Sequence, residues 1–171
     1  MSPSPVDPVQ PDSDSEHPPI RRYGRHKARE LALQVLFQWD FHGSTEFWLE
    51  QFWEQQTVSG SIKDFVDLVV AGVQDQQIEL DDLIGKYAEN WSLARMPVID
   101  RNILRLAIYE LLWIPDIPAK VTMNEALELA KSFADADTTR FINGILDQLL
   151  KQDARLQVKR LAMATPEVKT V

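Results

Sequence analysis

VIDRNILRLAIYELLW, Val98 to Trp113, decides the fold. Apolar residues occupy more than one side of this stretch, which is the pattern of a helix packed centrally among others rather than laid on a surface. Pro97 suits the first turn, where a missing N–H costs nothing, and Pro115 and Pro118 end the run. On the N-terminal side, Ala28, Leu31, Ala32, Val35, Leu36 and Trp39 recur at the spacing of one helix face. Gly43-Ser44-Thr45 breaks that helix, and Ser44 or Thr45 is placed to cap a second one carrying Phe47, Trp48, Phe52 and Trp53. Ser59-Gly60-Ser61 makes the next break, before helices containing Phe65, Leu68 and Val69, then Leu80, Leu83 and Ile84. On the C-terminal side, a helix from Thr122 turns Ala126, Leu129 and Phe133 inward. A last one, capped by Asp137 or Thr138, does the same with Ile142, Ile145 and Leu149. No stretch alternates over strand length. The predicted fold is all-α, about seven helices, without internal repeats.

The 171 residues, 44% of them apolar and 26% charged, are a globular composition with a sizeable core. No apolar run reaches the length of a membrane span. Met1 to Pro19 lacks the basic start and apolar centre of a signal peptide. Zero cysteines exclude disulfides, thiolate nucleophiles and cysteine zinc sites, and fit a cytoplasmic protein. Residues 1–20 hold six prolines (Pro3, Pro5, Pro8, Pro11, Pro18, Pro19) with Asp7, Asp12, Asp14 and Glu16, the composition of a disordered acidic tail. Its charge has the sign to shield the basic cluster that follows, although a solvated extension without a role is the plainer reading. The folded part is expected over 21–155, with 156–171 a flexible C-terminal tail.

Chemistry is scarce. His17, His26 and His42 form no pair at ligand spacing, and the six glycines make no phosphate loop. Asp81-Asp82 and Asp135/Asp137 are carboxylate pairs, but acids in the first turn of a helix are explained by the helix dipole. Neither a catalytic constellation, a metal site nor a cofactor is expected.

One feature resists a structural explanation. The formal net charge is -8, yet RRYGRHKAREL gathers Arg21, Arg22, Arg25, Lys27 and Arg29 in front of a helix. A helix N-terminus repels cations, whereas an anion bound there meets both the side chains and the free N–H groups. Arg25, Arg29, Leu33 and Phe37 are four residues apart in turn, so Arg29 and Phe37 share one flank about 12 Å apart. A guanidinium and an aromatic ring on one surface suit a phosphate and an unstacked base of single-stranded RNA. An interaction module holding an acidic protein is the competing reading.

The stretch RHKARELALQVLFQWD resembles the start of the NusB family of transcription antitermination factors. IDRNILRLAIYEL, PAKVTMNEALELAKSF and RFINGILD resemble that family's C-terminal half in the same order. The matching blocks cover about residues 25–150. A similar domain is fused to some ribosomal RNA cytosine methyltransferases, where a role in ribosomal RNA maturation follows. The chain left beyond the domain has no room for a methyltransferase fold, so the stand-alone factor is expected. The resemblance implies two small helical bundles packed together, and binding of boxA RNA in ribosomal RNA leaders. It implies a heterodimer with the small-subunit ribosomal protein NusE, joined indirectly to other Nus factors and RNA polymerase. The arginine-rich family motif falls on Arg25, His26, Lys27 and Arg29, supported by Arg21 and Arg22. His26 departs from the arginine found in many relatives. Phe37 and Phe141 match aromatic positions of RNA contact. Asp100, Arg101 and Asp137 are expected at partner contacts, while Asn124 and Glu125 are as readily structural.

Overall fold

A computed structural model describes residues 22–164; the N-terminal tail and Arg21 lie outside them. Eight α-helices follow in chain order: α1 (Arg22–His42), α2 (Leu49–Glu54), α3 (Gly60–Asp75), α4 (Gln77–Tyr87), α5 (Val98–Trp113), α6 (Ala119–Phe133), α7 (Ala136–Gln152) and α8 (Gln157–Ala164). Single 3-10 turns at Leu93–Arg95 and Ala154–Leu156 join α4 to α5 and α7 to α8. The described residues contain no strand.

Helix α5 is the axis of the molecule. It is buried without a break from Asn102 to Leu111, and α1, α3, α4, α6 and α7 all pack against it. The all-round apolar pattern of its sequence is thereby explained, since every side of it meets another helix. The inward residues of the other helices (Leu31, Val35, Val69, Leu80, Ile84, Leu129, Ile145, Leu149) join its side chains in one continuous core. The buried side chains of α1 and α3 to α7 belong to a single cluster, while α2 and α8 contribute no buried residue.

Several expectations are corrected. Ser44 and Thr45 do not cap α2: Ser44 Oγ accepts the Glu46 N–H, and Trp48 precedes the helix without a side-chain cap. Helix α6 starts at Ala119, directly after Pro118, and not at Thr122. Helix α7 is capped by Asp135, whose Oδ1 accepts the Thr138 N–H at 2.7 Å, and not by Asp137 or Thr138. Of the segment expected as a flexible tail, residues 157–164 form α8, and 165–171 lie outside the described residues. Leu156 is buried, and Lys159 of α8 donates to the Glu110 and Ile114 carbonyls at 3.1 and 2.8 Å, capping the open end of α5. Helix α1 starts at Arg22, inside the basic stretch rather than after it.

Two buried ionic clusters lock α1 against α5, one at each end. Arg29, 2% exposed, donates from Nε and Nη2 to both carboxylate oxygens of Glu110, 1% exposed, at 2.6 and 3.0 Å. Thr122 Oγ1 adds a third donor to Glu110 at 3.0 Å. At the other end, Asp40 Oδ2 accepts from Arg101 Nε at 2.6 Å, Asn102 Nδ2 at 3.0 Å and Arg105 Nη1 at 3.2 Å. Arg105 also grips Asp81 of α4 with two bonds at 2.7 and 2.9 Å. Since Arg29 faces Glu110 while Asp40 faces Arg101 and Asn102, α1 and α5 run antiparallel. The N-terminus of α1 therefore lies at the C-terminal end of α5.

Candidate nucleic-acid interface

The basic stretch does not present all its charge to solvent. Arg29, expected on the flank shared with Phe37, points into the core and is spent on Glu110, with Glu125 a further 3.8 Å from its Nη1. This corrects its assignment as an RNA contact: a guanidinium held by two carboxylates and shut from water has no face left for phosphate. Glu110 and Glu125 are far from Arg29 in sequence, so nothing local announced the pairing.

His26 is bracketed. Its Nδ1 lies 2.6 Å from Glu125 Oε2 of α6, and its Nε2 lies 3.3 Å from Glu30 Oε1. Glu125 is structural here, tying α6 to the first turns of α1. Lys27, more exposed, lies 3.7 Å from the other oxygen of Glu30, a surface pair of small energetic weight. Arg25 is half-buried, and its Nε is buried without a hydrogen-bond partner among the described residues. Arg22 opens the helix. Arg25 and Lys27 are thus the cations of this stretch, among those whose side chains are described, that are not engaged by a buried carboxylate.

Phe37 stands on the other half of α1, half-buried, with its ring centroid 5.1 Å from that of the exposed Phe41. With Leu33, Phe52, Ile99 and Phe133 it lines an apolar groove of about 250 Å³. Phe141, Asp100 and Asp137 converge, as their sequence separation did not reveal. Together with Trp91, Asp135 and Thr138 they line a second cavity of about 300 Å³, where the N-termini of α5 and α7 meet. Asp100 is 6% exposed and accepts the Thr138 hydroxyl at 3.3 Å. Burial, with Asp135 nearby adding to it, pushes its carboxyl above the ordinary aspartate value. Asp40 is also desolvated, but bonds and charge from Arg101 and Arg105 outweigh that and hold it below its ordinary value. Asp137 is exposed and paired with Arg140 on its own helix. Arg101, expected at a partner contact, is bonded to Asp40 within the chain. Among the described residues no three histidine or acidic side chains are disposed to hold a metal ion.

The two regions are well separated. Asp100 and Glu110 are about 15 Å apart along α5, and Arg25 lies about one more helical turn beyond the Arg29–Glu110 pair, giving about 20 Å overall. Sequence reasoning missed Trp91. It does not recur at core spacing with Phe141, and the contact arises only because the turn after α4 meets the start of α7.

The described residues thus form an all-helical domain with cations near the C-terminal end of α5 and an aromatic, acid-lined cavity near its N-terminal end. The NusB family profile matches residues 26–151, and the chain belongs to that family. A transcription antitermination protein NusB from Lysinibacillus sphaericus is 42% identical over 134 residues, 75% of this chain and 98% of that protein. One from Desulforamulus reducens is 47% identical over 129 residues, 74% and 90% of the two chains. Among solved structures, T. maritima NusB superposes with a TM-score of 0.67 at 39% identity, covering 75% of this chain and 91% of that one. A complex of the antitermination factors NusB and NusE with double-stranded RNA contains a chain with a TM-score of 0.68 at 26% identity, covering 76% and 98%. No helix among the described residues is long and apolar enough to cross a membrane.

Proposed function

We propose that this protein binds boxA-type RNA of ribosomal RNA leader transcripts together with the ribosomal protein NusE, and through that complex joins other Nus factors on RNA polymerase. The observation that carries the reading is the division of labour across the α1–α5 pair. Solvent-facing cations at one end of α1 suit phosphates, and the Phe141 cavity about 20 Å away suits a splayed-out base. A single strand spanning the two meets both. The likeness to a NusB chain solved with NusE and RNA supports the partner assignment. The apolar groove around Phe37 offers a partner protein a surface that no phosphate would seek.

The test is fluorescence anisotropy with a ribosomal leader RNA, with and without the ribosomal protein. Arg25→Ala combined with Lys27→Ala is expected to weaken binding at every salt concentration. With Arg29 withdrawn into the core and His26 held by two carboxylates, Arg21, Arg22, Arg25 and Lys27 remain. The slope of log affinity against log salt is therefore expected to be no steeper than about -2.8 for a single strand. Unchanged affinity in the double variant, with the ribosomal protein present, refutes the reading. RNA that displaces nothing while an acidic protein competes for the basic end would favour the interaction-module alternative.

A further inference from the structure

Of the three histidines, His17 lies outside the described residues, and His42 bonds Gln38 on its own helix at the far end of α1. His26 is placed differently. It falls between Arg25 and Lys27 in the chain, and both its ring nitrogens face carboxylates. Nδ1 is 2.6 Å from Glu125 Oε2, and Nε2 is 3.3 Å from Glu30 Oε1. A neutral imidazole donates from one nitrogen and accepts at the other, while an ionised carboxylate only accepts. The neutral ring therefore leaves one acceptor facing another, toward α6 or along α1. The imidazolium donates to both. Histidine is also the side chain whose charge ordinarily changes between pH 5 and 8.

The neighbouring charges make that proton decisive. On α1, Lys27 reaches Glu30 at 3.7 Å. Arg29 comes within 3.8 Å of Glu125, but it is bonded twice to Glu110 of α5, and those two neutralise each other in the interior. Lys159 of α8 is directed at the Glu110 and Ile114 carbonyls. Beside the ring this leaves one permanent cation, Lys27, against two carboxylates, Glu30 and Glu125. One positive and two negative charges sum to -1, which a proton on His26 brings to zero. An anion approaching Arg25 and Lys27 approaches this set as well.

We infer that the charge on His26 sets how tightly the basic end of α1 holds RNA, by cancelling a carboxylate rather than by touching a phosphate. This rests on the RNA-binding reading above and adds its regulation by pH. Protonated, the ring ties α6 to α1 and leaves Arg25 and Lys27 beside a neutral set. Neutral, it leaves them beside a net negative one that repels the strand. A unit charge about 5–8 Å from a phosphate in water is worth about 2- to 4-fold in affinity, and less as salt rises. RNA binding therefore weakens by that factor as pH rises from about 6 to about 8.

The experiment titrates a leader RNA by anisotropy against the full chain with its ribosomal partner, at low salt and several pH values across that window. Wild-type affinity is expected to fall about 2- to 4-fold from the acid to the alkaline side. His26→Arg, a permanent cation, should stay near the wild-type acid value throughout. His26→Gln, permanently neutral, should stay near the alkaline value. Glu30→Gln should tighten binding at the alkaline side by a similar factor. Urea melts confirm that each variant is folded under the titration conditions, and His26→Gln and Glu30→Gln carry the test should His26→Arg not fold. A pH profile shared by the wild type and His26→Gln places the titration in the RNA or the partner and overturns the inference. A wild type whose affinity is flat with pH, while Arg25→Ala with Lys27→Ala loses RNA, overturns it too and leaves the RNA-binding reading standing. If the wild type binds no RNA at any pH with its partner present, both fail.

Discussion

Replacing Arg29 with alanine should unfold this protein rather than blind it to RNA. The guanidinium is almost fully buried, makes two bonds to Glu110 at 2.6 and 3.0 Å, and sits beside Glu125. Its removal leaves the Glu110 carboxylate, 1% exposed, with only the Thr122 hydroxyl as a side-chain donor. Breaking a buried, hydrogen-bonded ion pair from one side costs about 3–5 kcal/mol, because the surviving charge keeps its desolvation penalty without its partner. For a chain of this size that is a fall in Tm of about 6–20 °C. The pair's own net contribution is smaller. Arg29→Met combined with Glu110→Met removes both charges and should recover much of the loss, since exchanging a buried pair for apolar side chains is often close to neutral. Urea denaturation followed by circular dichroism, run on the wild type, both single variants and the double, measures this directly. RNA titration well below the midpoint should find the folded Arg29→Ala protein binding as the wild type does. An Arg29→Ala variant of undiminished stability that had lost RNA would refute the assignment of Arg29 to the core.

Two further perturbations test the packing and the charges. A Cβ at Gly72 of α3 would lie 2.0 Å from the Tyr109 ring of α5, so Gly72→Ala should lower the urea midpoint by an overpacking cost of about 1–3 kcal/mol or more. Asp40 and Asp100 should respond to pH in opposite senses. Asp40 is held below its ordinary value in the fold, so it contributes stability above the unfolded carboxyl range and loses it as pH falls through the lower folded value. Asp40→Asn should therefore be the less stable protein at pH 7, with the gap closing in acid. Asp100 is raised, so its contribution is present at low pH and lost as pH rises through the raised value. Asp100→Asn should gain stability relative to the wild type at pH 7, and the gain should vanish in acid. Guanidinium melts at several pH values distinguish the two, and a shared sign would contradict the charge environments described above.

The helical class, the central place of Val98–Trp113 and most of the inward faces were written in the sequence. Periodicity records which side of a helix meets the core, and the unusual breadth of the α5 pattern recorded that it meets the core on every side. Helix starts were less legible. Proline forbids continuation but leaves the adjacent boundary open, and Asp135, Asp137 and Thr138 are all competent caps until the backbone selects one. The short α8 escaped because it is only eight residues long and buries no side chain of its own. Lys159 anchors it through carbonyls contributed by α5, and Arg160 through the Leu150 and Lys151 carbonyls of α7.

The site divides along the same line. By itself the sequence determined that basic residues crowd the start of α1 and that aromatic side chains lie off its core stripe, because both are properties of neighbours in the chain. Tertiary structure alone decided which of those charges are free. Arg29 and Lys27 are two residues apart and chemically alike, yet one is neutralised inside by Glu110 and the other stands at the surface. Likewise Asp100, Phe141 and Trp91 became one cavity only when the starts of α5 and α7 met the turn after α4. Charge pairing and cavity formation depend on distances across the core, and those distances are fixed by how the helices pack rather than by the order of residues along them.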